Sequence, residues 1–228
     1  MATELLFSDL KAWLDAQPEN TAGTPYEIII KNASSSDYTK AITRYVSIVG
    51  MEMKAGVNKI GYQAFLNCEK LVGITIPNGV TTIEPQAFQG CKSLWAVTIP
   101  VGLTSINNMV FSGCSNLRYI NIPYGVTSIG SFAFSNCSNL DFIELPATLT
   151  SLGDRAFNYC TSMSFVYVYV PFSETLMRPE SFRGTTSSLR LLIYPSILSG
   201  WQSATLTNYG LAPGVRAESL YTKWVRVA

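Results

Sequence analysis

Between residues 57 and 171 the apolar positions repeat every 23 residues. The segments 57–79, 80–102, 103–125, 126–148 and 149–171 align without an insertion or a deletion. Each opens on Val57, Val80, Leu103, Val126 or Leu149, and three residues later carries Ile60, Ile83, Ile106, Ile129 or Leu152. A small residue and a phenylalanine follow: Ala64-Phe65, Ala87-Phe88, Val110-Phe111, Ala133-Phe134 and Ala156-Phe157. Three residues beyond each phenylalanine stands Cys68, Cys91, Cys114, Cys137 or Cys160. Each segment closes on Leu71-x-x-Ile74-x-Ile76 or its counterpart, Leu94/Val97/Ile99, Leu117/Ile120/Ile122, Leu140/Ile143/Leu145 or Met163/Val166/Val168.

The alternation at the end of each segment predicts a short strand with its apolar positions inward and the intervening ones outward. Pro77, Pro100, Pro123 and Pro146 end that strand, because proline has no N–H to extend a ladder. Gly79, Gly102 and Gly125 follow, where a turn tolerates positive φ. The A-F-x-x-C stretch is preceded at its cysteine by Asn67, Gly90, Gly113, Asn136 or Tyr159. Asn and Gly accept a left-handed backbone, so the stretch predicts a single helical turn.

No one segment can bury its apolar side alone. Stacked at strand spacing, roughly 4.8 Å per rung, like residues form continuous files through a shared core. A period in the range of ~20–29 residues with an L-x-x-L-x-L core marks a leucine-rich repeat solenoid. The expected fold is a β-rich α+β solenoid, a right-handed superhelix of five repeats over 55–171 with a cap at each end. Residues 1–54 form the N-terminal cap, which must cover the exposed core and open sheet edge. Within it, Leu5, Leu6, Leu10, Trp13 and Leu14 recur at helical spacing, with Ser8 as a candidate N-cap and Phe7 as its staple. Residues 26–32 and 46–53 read as strands, and 34–46 as a short helix or a strand-bearing connector. Residues 172–228 form the C-terminal cap, with a degenerate sixth repeat marked by Phe182, Gly184, Leu189 and Tyr194-Pro195. There 195–204 is expected to be a short helix carrying Trp201, and 220–228 a final strand.

Composition narrows the chemistry. The net charge is +1 and only 14% of the residues are charged, so no electrostatic footprint for nucleic acid is present. No apolar run approaches the ~20 residues that span a bilayer. With no histidine, Ser-His-Asp and Cys-His catalytic sites are absent, and the spacing offers no C-x-x-C metal pair. No phosphate-binding glycine loop occurs. Asp141 and Glu144 are the nearest carboxylate pair on one strand and belong to the repeat pattern. The chain is therefore expected to be no enzyme and to need no cofactor or metal. The odd count of five cysteines points to free thiol. Their side chains point the same way into the core, whereas a disulfide needs facing Cβ atoms. They are expected to be buried, reduced and to act as small apolar fillers.

The pattern I-G-x-x-A-F-x-N/G-C-x-x-L-x-x-I-x-I-P resembles the BspA-like, or Treponema-type, leucine-rich repeat, residue for residue over 57–171. The resemblance implies a bacterial secreted or surface-attached binding protein, an adhesin for host or neighbouring-cell proteins, and it supplies no catalytic residues. The opening MATELLFSDL has no basic n-region and too short an apolar run for a secretory signal. Composition fits a cytoplasmic chain and a mature chain without its leader equally; the resemblance favours the second.

The candidate site is the outward side of the strands. The second position of L-x-x-I-x-I is Val72, Trp95, Arg118, Asp141 or Ser164. The third is Gly73, Ala96, Tyr119, Phe142 or Phe165, and the fifth is Thr75, Thr98, Asn121, Glu144 or Tyr167. Trp95, Arg118, Tyr119, Phe142, Glu144, Phe165 and Tyr167 are thus expected on one exposed face. Aromatics with an arginine are the usual composition of interface hot spots. The expected partner is an unidentified extracellular or host protein, with no nucleic acid and no membrane insertion. The alternatives are that the aromatics only brace the sheet, that the repeats are a spacer presenting another domain, or that the face binds a glycan.

Overall fold

The computed structural model describes residues 3–6, 26–31, 48–53, 58–171, 173, 176, 178, 180–197, 200, 211 and 217–219. Three strands come first: β1 (Thr3–Leu6), β2 (Tyr26–Lys31) and β3 (Ile48–Met53). Each repeat then contributes a two-residue strand and a longer one. These are β4 (Lys59–Ile60), β5 (Gly73–Thr75), β6 (Thr82–Ile83), β7 (Ala96–Thr98), β8 (Ser105–Ile106) and β9 (Tyr119–Asn121). They continue with β10 (Ser128–Ile129), β11 (Phe142–Leu145), β12 (Ser151–Leu152) and β13 (Phe165–Val168). Last come β14 (Arg190–Ile193), a 3-10 turn at Pro195–Ile197, and β15 (Ala217–Ser219).

The long strands pair in parallel in two blocks, β1-β2-β3-β5-β7-β9 and β11-β13-β14-β15. Register advances one repeat per strand, with Gly73 beside Ala96, Ala96 beside Tyr119, and Phe142 beside Phe165. The apolar alternation is realised: Ile74, Val97, Ile120, Ile143 and Val166 point inward and are buried. The protein is a leucine-rich repeat solenoid, as the period requires. The degenerate sixth repeat is present, since β14 pairs with β13 and Phe182 and Leu189 are buried.

The phenylalanine file is the spine of the core. Phe65, Phe88, Phe111, Phe134, Phe157 and Phe182 stack in order at centroid spacings of 4.9, 5.5, 5.5, 5.2 and 5.2 Å. Burying each such ring stabilises by about 1.5–3 kcal/mol, with about 0.5–1.5 kcal/mol more per aromatic pair. The five cysteines are free and buried, and they do more than fill space. The thiols of Cys91, Cys114, Cys137 and Cys160 donate to the carbonyls of Phe65, Phe88, Phe111 and Phe134 at 3.1–3.2 Å. Burial pushes all five thiols above their ordinary range, so they stay neutral near pH 7 and are poor nucleophiles.

The convex side corrects the sequence reading, because A-F-x-x-C is not a helical turn. Its N–H groups alternate between two partners. Ala64, Leu66 and Cys68 donate three residues back, to Gly61, Gln63 and Phe65, while Gln63, Phe65 and Asn67 donate across to Pro85, Ala87 and Gln89 of the next rung. These bonds close three overlapping turns, and the third residue of the first and last has positive φ, Gln63 (57°) and Asn67 (58°), as a type II turn requires. A helix would spend every N–H internally; the zigzag releases half of them to join rungs.

Other expectations change as well. Of the three corner glycines only Gly125 has positive φ, at 116°, so at Gly79 and Gly102 the Pro-to-Val and Pro-to-Leu turns close without it. β1 places Leu5 and Leu6 in a strand where helical spacing was read; the rest of that segment, with Ser8 and Trp13, lies outside the described residues. The strands read at 26–32 and 46–53 match β2 and β3. The 34–46 segment, most of 195–204 with Trp201, and the 220–228 strand lie outside the described residues.

Candidate functional site

The sheet presents three outward files. Trp95, Arg118 and Asp141 stand just ahead of β7, β9 and β11 and are exposed; Ser164, at the same position before β13, is half-buried. Tyr119 is exposed, and Phe142 and Phe165 in its file are half-buried. Glu144 and Tyr167, adjacent in register, are also half-buried. All seven candidate residues therefore face away from the core.

Four of them form one ring cluster. Tyr119 and Phe142 have centroids 5.2 Å apart and tilted by 42°. Phe142 meets Tyr167 edge-on at 5.9 Å, and Tyr167 lies 6.3 Å from Phe165. Trp95 does not join this cluster. It is 55% exposed, and its column neighbours are Val72, 45% exposed, and Arg118. The backbone fixes that neighbourhood, with Trp95 N–H donating to Val72 C=O at 3.0 Å and Arg118 N–H to Trp95 C=O at 3.2 Å.

A cleft of about 370 Å³ opens beside the cluster, lined by Arg118, Tyr119, Asn139, Asp141, Phe142 and Ser162. It sits where β9 and β11 lie side by side yet belong to separate sheets; at its edge Asp141 N–H still donates to Arg118 C=O at 3.3 Å. Elsewhere on the coil, opposite charges on neighbouring rungs pair: Lys59 with Glu84, Lys92 with Glu69 and Arg155 with Glu180. Among the described residues, Arg118 and Asp141 form no ion pair. The cleft thus offers one cation and one anion, both unneutralised, above an aromatic floor.

Sequence reasoning missed part of this surface. Tyr169 and Tyr194 occupy the file held by proline in earlier rungs and extend the aromatic band, 6.4 Å apart. The signal was the replacement of that proline. Burial first, then Glu144 and Tyr167, push the Tyr169 hydroxyl above its ordinary range. Asn139 and Ser162 reach the cleft from the loops ahead of β11 and β13, and nothing in the strand pattern marks them. Among the described residues no group of three or more His, Cys, Asp or Glu is arranged to hold a metal ion, and no helix is long and apolar enough to cross a membrane.

Comparison with known proteins follows the same lines. The family model described as "BspA type Leucine rich repeat region" matches residues 39–200 in six copies; its start lies inside the span read as the N-terminal cap. No curated protein matches the chain, and no catalytic family is indicated. Among solved structures, a leucine rich cell surface protein from Faecalibacterium prausnitzii is similar at 30% identity, with a TM-score of 0.52. That match covers 55% of this chain, which spans only 33% of the Faecalibacterium protein. The leucine rich repeat protein of T. pallidum shares the fold at 22% identity and a TM-score of 0.56, over 75% of this chain and 85% of that one. A leucine-rich repeat protein from Eubacterium ventriosum does so at 20% identity and 0.56, over 83% and 48%. In its residues, its coil and its family model alike, the chain belongs to the bacterial BspA-type leucine-rich repeat family.

Proposed function

We propose that the chain is a non-catalytic protein-binding module of a bacterial surface or secreted protein, adhering to host or neighbouring-cell proteins through the outward sheet face. The observation that carries this reading is Trp95. It is more than half exposed, has no ring partner among the described residues, and stands beside the unpaired Arg118, which lines the cleft. An exposed indole on a backbone bonded to both neighbouring rungs, with a guanidinium alongside, is a typical binding anchor. The cell-surface description of the Faecalibacterium relative supports placement outside the cell.

The ring geometry weighs against a glycan. Sugars stack on flat, coplanar platforms, whereas Tyr119, Phe142 and Tyr167 are tilted by 42° and 85° from one another. Phe142, Phe165 and Tyr167 are half-covered by each other and brace the sheet, which leaves Trp95, Arg118 and Tyr119 as the anchors. The test is binding of the labelled chain to intact epithelial or neighbouring bacterial cells before and after surface proteolysis. The expected result is binding that proteolysis removes and that Trp95→Ala weakens by at least about tenfold, with an unchanged melting curve. Equal binding by the resurfaced chain would leave the spacer reading standing.

A further inference from the structure

The outward face is the complement of itself. Consider a two-fold axis lying in the plane of contact, parallel to the strands and midway between β9 and β11. Such an axis keeps each residue's height along its strand and exchanges the order of rungs. Arg118 then faces the partner's Asp141, and Asp141 the partner's Arg118, so two ion pairs form and each unpaired charge of the cleft is neutralised. Tyr119 meets the partner's Phe142, and Asn121 can donate to the partner's Glu144.

Size matches as well as charge. One rung further out, β7 is exchanged with β13. Trp95, the bulkiest residue of its file, falls on the partner's Ser164, its smallest. Phe165 falls on the partner's Ala96, and Tyr167 on the partner's Thr98. Large side chains crowd one end of each file and small ones the other, which an unpartnered brace for the sheet does not require.

We propose that this face pairs with the same face of a second copy of the chain in an isologous C2 dimer. The proposal rests on the reading of the face as a protein-binding surface and names its partner. Isologous contact is the commonest way in which identical subunits join. Sheets facing one another pack about 10 Å apart with strands nearly aligned, which is what this axis produces. The outward position of β14, Leu192, is only 5% exposed, so the free face ends near β13. Four rungs at ~4.8 Å by about five residues at ~3.3 Å give a footprint on the order of 300 Å² per copy. That is below the ~800 Å² per partner of a standard interface, so the pairing is weak and reversible.

Sedimentation of the full chain up to millimolar concentration tests this. The parent is expected to pass from monomer to dimer. Arg118→Asp sets aspartate against aspartate twice and weakens the dimer by at least about a hundredfold. Arg118→Asp with Asp141→Arg restores it, and melting curves stay unchanged in all three. A parent that remains monomeric, a dimer indifferent to Arg118→Asp, or a double variant as weak as the single one would each overturn the proposal. The two readings separate cleanly. A monomer whose Trp95→Ala variant loses cell binding sinks self-pairing alone. A dimer that obeys the charge swap but binds no cell surface sinks adhesion to foreign proteins alone.

Discussion

Phe111 stands at the centre of the stacked file, fully buried between Phe88 and Phe134. Phe111→Ala opens a cavity that neighbours on both sides hold rigid, and is expected to cost about 3–5 kcal/mol in chemical denaturation. Two glycines separate strain from crowding. At Gly113 φ is +75° but a Cβ would find Gly90 at 3.6 Å, an ordinary contact; Gly113→Ala should cost about 1 kcal/mol through the backbone alone. At Gly153 φ is unremarkable, yet a Cβ would lie 2.4 Å from the Ser131 nitrogen. Gly153→Ala must push two rungs apart and is expected to cost the more, about 1–3 kcal/mol or above. Glu84 provides a pH signature. Lys59 foremost, then the Tyr62 N–H, holds its carboxyl below the ordinary range against the opposing effect of burial. Its contribution is therefore present above that range and is lost as pH falls through the depressed value. Solvent screening keeps it to roughly 0.5–1 kcal/mol. Glu84→Gln should lower stability by that amount at neutral pH and by nothing once the carboxyl of the parent is protonated.

At the scale of the element, the thiol file and the turn ladder act together. Each cysteine from Cys91 onward ties its rung to the phenylalanine carbonyl of the rung before. Because the folded thiols resist ionisation and unfolded ones do not, stability is full below the unfolded thiol pKa and falls as pH rises above it. The slope is about 1.4 kcal/mol per pH unit for each thiol. Cys114→Ala should lose about 1–2 kcal/mol at neutral pH and show an alkaline slope shallower by one proton in denaturant melts. The strands and the files of core residues were legible because burial imposes the same residue type at every rung. The convex turn was not. A-F-x-x-C has the four-residue spacing of a helix face, and Asn67, Gly90 and Gly113 mark one left-handed position openly. The other is held by Gln63, Gln86, Met109, Phe132, Arg155 and Glu180, types that carry no local preference for it. Tertiary bonding to the next rung imposes that conformation, so no window of a few residues could disclose it.

Across the whole molecule, alternation told which side chains leave the core, and all seven candidates do. It did not tell that four of them would lean on one another while Trp95 stands alone, since ring tilt depends on sheet twist and on neighbours in other repeats. Nor did it show the cleft, whose lining joins Arg118, Tyr119, Asp141 and Phe142 at the strand starts to the loop residues Asn139 and Ser162. Trp95→Ala should accordingly shift the melting temperature by no more than about 2 °C, whereas Phe142→Ala should lower it by several degrees; differential scanning calorimetry distinguishes them. The bonds that join the rungs here have a mechanical meaning. On the convex side the stitching runs unbroken past this point, with Phe111 N–H to Ala133 C=O and Gly113 N–H to Ser135 C=O. The opposite margin is sewn at the same rungs, with Arg118 N–H to Trp95 C=O and Asp141 N–H to Arg118 C=O, as in a book bound along both edges. Bending must strain one seam or the other, so the coil resists flexing and presents its unmatched charges at a fixed spacing to whatever they grip.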